Sequence, residues 1–105
     1  MEAEMINGKR RIFIAGDTGG INRDDVVRRH FADADEMIMM RGDVPVNPLW
    51  FCDPSDSFER RMRICLKELA GCDGIYMLKG WRADKGAKME HFVALKLKLT
   101  IELEK

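Results

Sequence analysis

The chain has 105 residues, which is enough for one domain with a single core. Its 18 basic and 18 acidic side chains cancel, which excludes a general electrostatic attraction to nucleic-acid polymers or to anionic membranes. Three scattered cysteines, no signal-peptide pattern and no apolar run of roughly 20 residues predict a cytoplasmic protein without a disulfide framework or a membrane span.

The beginning of the chain predicts a strand followed by a helix. Residues 1–10 are polar and are expected to be frayed. Ile12–Ala15 is a short, β-prone apolar run, typical of a central strand that is covered on both faces. We expect Asn22 to cap the following helix, Val26 to lie on its apolar face and Gly42 to end it.

The middle of the chain predicts a short second strand, a long loop and a second helix. Val44–Val46 is the predicted strand, and its proline indicates a sheet edge or a strand end, because proline cannot donate a ladder hydrogen bond. Asp56 and Glu59 have the spacing of a capping box, so the second helix is expected to start there. Gly71 is the expected end of this helix.

The last third of the chain predicts a strand, a helix and a final strand. Ile75–Leu78 is too short for a helix and is typical of a buried strand, and Asp84 is a suitable cap for the helix after it. Residues 97–103 alternate apolar and polar side chains, as a half-buried edge strand does. The order βαβαβαβ predicts a three-layer α/β domain over residues 11–105, with a flavodoxin-like or Rossmann-like parallel sheet of about four to five strands and helices on both faces.

Three loops are expected at the carboxyl edge of this sheet, where parallel α/β folds bind ligands. They are Gly16–Gly20, Asn47–Pro54 and Lys79–Asp84. The first offers backbone amides and the Thr18 hydroxyl to a phosphate or a sugar, although a plain tight turn explains the same residues equally well. The other two carry large aromatic side chains that could stack on a nucleobase, cover the core or meet a second subunit. These aromatic residues are Trp50, Phe51 and Trp81.

Glu90 stands out because its neighbours at helical spacing form a small and apolar stripe. These neighbours are Gly86, Ala87, Val93 and Ala94. A carboxylate on a face that packs inward is either paired or functional, because burying an unpaired charge is costly. The alternative is a buried carboxylate that is satisfied by a hydrogen bond from Trp81, Tyr76 or a loop amide.

Asp84, Gly86, Ala87 and Glu90 have a distinctive spacing that follows directly after a predicted strand. Four further stretches precede them in a fixed order, namely Phe13–Gly16, Val46–Pro48, Cys72–Leu78 and Gly80–Trp81. Together these motifs resemble the nucleoside 2-deoxyribosyltransferase-like superfamily, and most closely a small bacterial and phage branch of it. The resemblance covers roughly residues 11–101.

The resemblance implies hydrolysis of an N-glycosidic bond, or (deoxy)ribosyl transfer, on a nucleoside or nucleotide. Glu90 would then be the nucleophile that forms a covalent glycosyl-enzyme, and Asp84 would help to position the substrate. This chemistry needs no metal and no organic cofactor, and the expected partners are a small-molecule nucleoside or nucleotide and further copies of the chain. The expected substrate-binding residues are Gly16, Asp17, Thr18, Gly19, Gly20, Asn47, Trp50, Gly80, Trp81 and Gly86.

Two positions depart from the superfamily pattern. The usual aspartate eight residues before Asp73 is Cys65, and the tyrosine that is common on the first strand is Phe13. A thiol is a weaker proton donor to a leaving base than a carboxylic acid. The alternative function is therefore a non-catalytic nucleotide-binding or sensing module, and a third alternative is a structural oligomer held together by the loop aromatics.

Overall fold

The computed structural model describes residues 9–105 of the chain. All but the last two positions of the segment expected to be frayed, residues 1–10, lie outside the described residues. Within the described part, four strands alternate with three helices. They are β1 (Arg11–Ala15), α1 (Asp25–Met40), β2 (Val44–Val46), α2 (Phe58–Ala70), β3 (Gly74–Met77), α3 (Lys85–Lys96) and β4 (Thr100–Leu103).

The strands form one parallel sheet in the order β2-β1-β3-β4. β1 is central, and its residues from Ile12 to Ala15 have no exposed surface. β2 is an edge strand, which is the position that Pro45 favours because it lacks a backbone N–H. β4 forms the opposite edge. The predicted parallel sheet, with four strands, is confirmed.

The side chains of β1 alternate between two separate cores, as they do in a strand that is covered on both faces. Ile12 and Ile14 pack in the core that α1 covers. Phe13 and Ala15 point the other way, into the core that α2 and α3 cover. Helices therefore lie on both faces of the sheet, and the predicted three-layer α/β architecture is confirmed.

The start of α1 differs from the prediction. Asp24 caps this helix, and its carboxylate accepts a hydrogen bond of 3.0 Å from the Val27 amide. Asn22 lies instead in a short 3₁₀ turn, which begins at Gly20 with a φ of 51°. This extra turn delays the helix, and Val26 is consequently 77% exposed rather than part of the apolar face.

Two further boundaries were wrong by one to three residues. Ser57, not Asp56, caps α2, and its hydroxyl accepts a bond of 3.1 Å from the Arg60 amide. Asp56 forms an ion pair with the Arg60 side chain instead. The last strand starts at Thr100 and not at residue 97, because α3 continues to Lys96. The residues directly after Lys96 end the helix and are not part of the strand.

We expect the substitution Asp24→Ala to lower the free energy of unfolding by about 1 kcal/mol, because the Val27 amide loses its acceptor. The matched control is Asn22→Ala, which removes a similar side chain outside the helix. It should change stability by less than about 0.5 kcal/mol. Urea denaturation followed by circular dichroism compares the two, and equal losses would contradict the assignment of the cap.

Candidate functional site

A cavity of about 170 Å³ lies at the carboxyl edge of the sheet. Its walls are the loop after β1, the loop between β2 and α2, and the facing sides of α2 and α3. β1 has β2 on one side and β3 on the other, so the strand order reverses beside this cavity. Open α/β sheets bind ligands at such a reversal point.

The start of α3 forms one wall of the cavity. Asp84 caps the helix by accepting a bond of 2.8 Å from the Ala87 amide. Glu90, six residues later, faces the cavity on the same side as Gly86 and Ala87. A Cβ atom on Gly86 would lie only 3.2 Å from the Met62 sulfur of α2, so glycine allows the two helices to approach closely here.

The loop after β1 forms the facing wall. Gly16 is buried, and a Cβ atom on it would lie 2.9 Å from the Leu78 Cβ atom. Asp17 accepts a bond of 2.8 Å from the Gly19 amide, and Gly19 adopts a φ of 76°. These contacts fold the loop tightly, which brings Asp17 and Thr18 to the cavity wall.

Glu90 is a buried carboxyl group at this wall, with 6% of its surface exposed. Burial raises its pKa well above the ordinary value of 4.5, the charges of Asp84 and Cys52 raise it further, and a hydrogen bond with the Cys65 thiol opposes the rise. The ion pairs among residues 9–105 do not include Glu90. A buried carboxyl without a cationic partner, next to a cavity, is the arrangement found in many reactive sites.

Asp84 is the second carboxyl group of the cavity. Burial raises its pKa, the hydrogen bonds from the Ala87 and Gly86 amides lower it, and the charge of Asp17 adds to the rise. Burial is the largest cause of the raised pKa at both groups, but backbone amides oppose it at Asp84, whereas the Cys65 thiol opposes it at Glu90. Two carboxyl groups in different environments of one site are suited to different tasks.

A pair of thiols completes the wall between the two helices. The sulfur atoms of Cys52 and Cys65 are 3.1 Å apart, and both residues line the cavity. Arg61, one turn before Cys65 on α2, brings a positive charge to the same wall. That charge lowers the pKa of both thiols, although other contacts are larger causes of their shifts.

Seven of the twelve residues predicted for the site line this one cavity. They are Gly16, Asp17, Thr18, Gly20, Asp84, Gly86 and Glu90. They come from two loops and one helix that are far apart in the sequence. Asp84 and Glu90, the two residues with the most specific predicted roles, both line this cavity. Whether they act on a substrate stays a prediction.

The other five predicted residues do not line this cavity. Trp81 is buried and stacks on His91, with ring centroids 4.3 Å apart. Trp50 is 65% exposed. The buried Asn47 side chain caps the turn at Leu49 and donates to Asp35. Gly19 and Gly80 are the remaining two predicted residues that do not line the cavity.

The sequence analysis missed the contribution of α2. Three residues of α2, namely Phe58, Arg61 and Met62, line the cavity, as does Lys85 at the start of α3, and none of them was among the predicted site residues. A helix that follows a parallel strand begins at the carboxyl edge of the sheet, so the first turns of α2 and α3 must lie near the ligand side. That rule, applied to Phe58 and Arg61, is the signal that would have found them.

The raised pKa of Glu90 predicts a pH dependence of stability. The pKa of Glu90 in the folded protein lies above the ordinary value of 4.5. The contribution of this group to the free energy of unfolding is therefore fully present below about pH 4.5, and it is lost as the pH rises through the raised pKa. We therefore expect the wild-type midpoint of urea denaturation to fall more steeply than that of Glu90→Gln as the pH rises above about 4.5.

Glu36→Gln is the matched control for this comparison, because Glu36 is exposed on α1. Its pH profile should follow that of the wild-type protein. The prediction is contradicted if the profile of Glu90→Gln falls as steeply as the profiles of the wild-type protein and of Glu36→Gln. In that case Glu90 has the same pKa in the folded protein and in the unfolded chain.

Neither a metal site nor a membrane-spanning helix is evident among the described residues. Within residues 9–105, no group of three or more His, Cys, Asp or Glu side chains is arranged to hold a metal ion. In the same part of the chain, no helix combines the length and the apolar character needed to cross a membrane.

Comparison with known proteins identifies a family but no activity. The family model described as "Domain of unknown function (DUF4406)" matches residues 10–103, which is nearly the whole chain. The match includes every strand and helix described above and both carboxyl groups of the cavity. No curated protein matches the chain.

Proposed function

Because the chain belongs to the DUF4406 family, whose description assigns no function, we propose an activity from the chemistry of its own cavity. The proposed activity is hydrolysis of the N-glycosidic bond of a nucleoside or nucleotide, or transfer of its (deoxy)ribosyl group. Glu90 is the nucleophile and Asp84 positions the sugar. The likeness of the Asp84–Glu90 motif to the nucleoside 2-deoxyribosyltransferase-like superfamily supports this proposal.

The observation that carries the proposal is the burial of Glu90 beside a cavity of the size of one small ring. The cavity volume is about 170 Å³, close to the ~150 Å³ of an engineered cavity that holds benzene. This volume suits one pentose and is well below the ~300–1,000 Å³ of sites that enclose a drug-sized ligand. The base would therefore extend out of the cavity, while the anomeric carbon lies near Glu90.

The proposed reaction has two steps, each with a defined bond change. In the first, a Glu90 carboxylate oxygen attacks the anomeric carbon, the C–N bond breaks, and the base leaves with its electron pair and takes up a proton from solvent. In the second, water attacks the same carbon and loses a proton to solvent as the ester bond breaks and frees the Glu90 carboxylate, or another base takes the place of water. Because burial raises the pKa of Glu90, the group ionises at a higher pH than an exposed glutamate does.

Other residues of the cavity have roles that follow from their chemistry. The Asp84 carboxylate, which is fixed by its bond to the Ala87 amide, can accept a hydrogen bond from a sugar hydroxyl. Phe58 offers an aromatic ring at the wall, in place of the expected Trp50 and Trp81. Arg61 supplies a cation for developing or fixed negative charge on the ligand.

The proposal is tested by incubating the full chain with nucleosides, nucleoside monophosphates and dinucleotides such as NAD, and measuring the released base by chromatography. A responsive substrate is then mixed rapidly with the protein and quenched in acid. We expect mass spectrometry of the digest to find a glycosyl ester on Glu90. Base release with the glycosyl ester on a residue other than Glu90, or with no ester at any time in the quenched time course, would contradict the assigned nucleophile.

One observation favours a second function, a nucleotide-binding module without catalysis. Cys65 forms a hydrogen bond with Glu90 at the position where the superfamily has an aspartate. The bond with Cys52 and burial raise the pKa of the Cys65 thiol, so it gives up its proton less readily than an ordinary thiol does. Such a module would bind a nucleotide saturably in a thermal-shift titration and release no base over hours. Detection of the Glu90 ester would exclude it.

A further inference from the structure

Cys52 and Cys65 form a pair that the proposed glycosidic chemistry does not use. Their sulfur atoms are 3.1 Å apart, their residues are 7% and 5% exposed, and both line the cavity. The third cysteine, Cys72, is directed elsewhere, and its thiol donates to the Glu68 carbonyl oxygen at 3.3 Å. Two facing thiols therefore share an opening to solvent, and Cys72 does not line it.

We propose that Cys52 and Cys65 are an oxidative modification site, at which peroxide converts the two thiols into a reversible disulfide in the wall of the Glu90 cavity. A peroxide has two oxygen atoms and is much smaller than the cavity of about 170 Å³. It can therefore reach thiols that larger reagents reach poorly.

The reaction balances with peroxide as the oxidant. The Cys52 thiolate attacks one peroxide oxygen, the O–O bond breaks, and Cys52 becomes a sulfenic acid as hydroxide leaves and takes up a proton. The Cys65 sulfur then attacks the Cys52 sulfur, the S–S bond forms, and the sulfenic oxygen leaves as water with the proton of Cys65. Two thiols lose two electrons in total, and peroxide is reduced to two water molecules.

The surroundings assign the two sulfur atoms to different steps. A hydrogen bond from Cys65 lowers the pKa of Cys52 against the effect of burial, and the charges of Arg61 and Arg23 add to this. The same contact and burial raise the pKa of Cys65. Cys52 is therefore the residue that reacts first with peroxide, and Cys65 is the residue that resolves the sulfenic acid.

The positions of the two residues in the fold allow the bond to form. The sulfur atoms have to approach by roughly 1 Å to reach the ~2.05 Å of a disulfide. Cys65 is fixed within α2, whereas Cys52 lies in the irregular part of the chain before that helix, so the adjustment falls on the loop. In a reducing compartment such a disulfide is transient and sensor-like rather than structural.

The sequence allows a direct test, because trypsin separates the three cysteines into three peptides. They are Gly42–Arg60 with Cys52, Ile64–Lys67 with Cys65, and Glu68–Lys79 with Cys72. The full chain is reduced, desalted, treated with hydrogen peroxide, unfolded in denaturant so that every free thiol is blocked with N-ethylmaleimide, and digested without reductant. We expect a linked Gly42–Arg60 and Ile64–Lys67 pair, a fall from three free thiols to one, and full reversal by dithiothreitol.

Two variants serve as controls. Cys72→Ser should form the same linked pair, because Cys72 takes no part in the bond. Cys65→Ser should form none and should accumulate a sulfenic acid on Cys52 that dimedone labels. A linked peptide that contains Cys72, or equal blocking of Cys52 and Cys65 with and without peroxide, would overturn the proposal. The peptide readout does not depend on base release, so it is independent of the proposed function.

Discussion

Replacement of Glu90 by glutamine is expected to reduce base release by at least about 1,000-fold on any substrate that the wild-type protein cleaves. Glutamine keeps the shape of the side chain, but its neutral amide oxygen cannot form the glycosyl ester. Glu90 is buried and, among the described residues, forms no ion pair, so the change leaves no cation there unpaired. Steady-state and single-turnover assays of free base measure the loss.

Asp84→Asn is the informative comparison for this experiment. Asparagine also caps helices well, so α3 should keep its start and the loss should be smaller than for Glu90→Gln. A Glu90→Gln protein that releases base at the wild-type rate would rule out the proposed nucleophile. If neither the wild-type protein nor the variant releases base while both bind the same nucleotide, the binding-module function is correct instead.

The architecture could be predicted because it depends on patterns that repeat along the whole chain. Short apolar runs such as Ile12–Ala15 alternate with stretches of helical period, and that alternation leads to a parallel sheet with helices on both faces. The helix starts were less predictable, because two good caps lie next to each other. Asn22 competes with Asp24, and Asp56 with Ser57. The backbone angles of the preceding loop decide between them, and these angles are not visible in the sequence.

The same distinction explains which site residues could be found. Asp84 is recognisable as the cap of α3, and Glu90 as a carboxyl group on a small and apolar stripe of the same helix, so local patterns alone identify both. The direction of Trp81 depends instead on its stacking with His91, a tertiary contact between two residues that no periodic pattern links. Phe58 and Arg61 lie in the first turns of α2, which the order of strands and helices places at the carboxyl edge of the sheet. The packing of α2 beside α3 on the same face then brings them to the cavity wall, and no periodic pattern specifies that packing.

Cys65 is the residue at which the chain departs from the superfamily it resembles and for which the structure is most informative. The sequence identified it only as a missing aspartate. In the fold, Cys65 lies in the cavity wall, contacts Glu90 and faces the Cys52 sulfur. The position therefore controls two properties at once, namely which proton donors are available beside Glu90 and whether a second thiol is present. Different substitutions of Cys65 can change these two properties separately.

Cys65→Asp is expected to increase base release by about 100-fold, the lower end of the contribution of a general acid. Two carboxyl groups in contact cannot both ionise easily, so they share one proton. The ionised member attacks the anomeric carbon, and the protonated member gives its proton to the leaving base. Arg61, one turn earlier on α2, offers a counter-charge for the pair. Assays of free base across pH should show a bell-shaped profile for this variant.

Cys65→Ser is the matched control, because it also removes the thiol and the disulfide partner but adds no acid. It should leave base release within about 10-fold of the wild-type rate, since one weak hydrogen-bond donor replaces another. We expect the aspartate variant to be less stable than the serine variant by about 1–3 kcal/mol, because the added carboxyl group is buried. If a folded aspartate variant releases base no faster than the serine variant, then proton donation at this position does not limit the reaction, and the departure from the superfamily pattern has no catalytic cost.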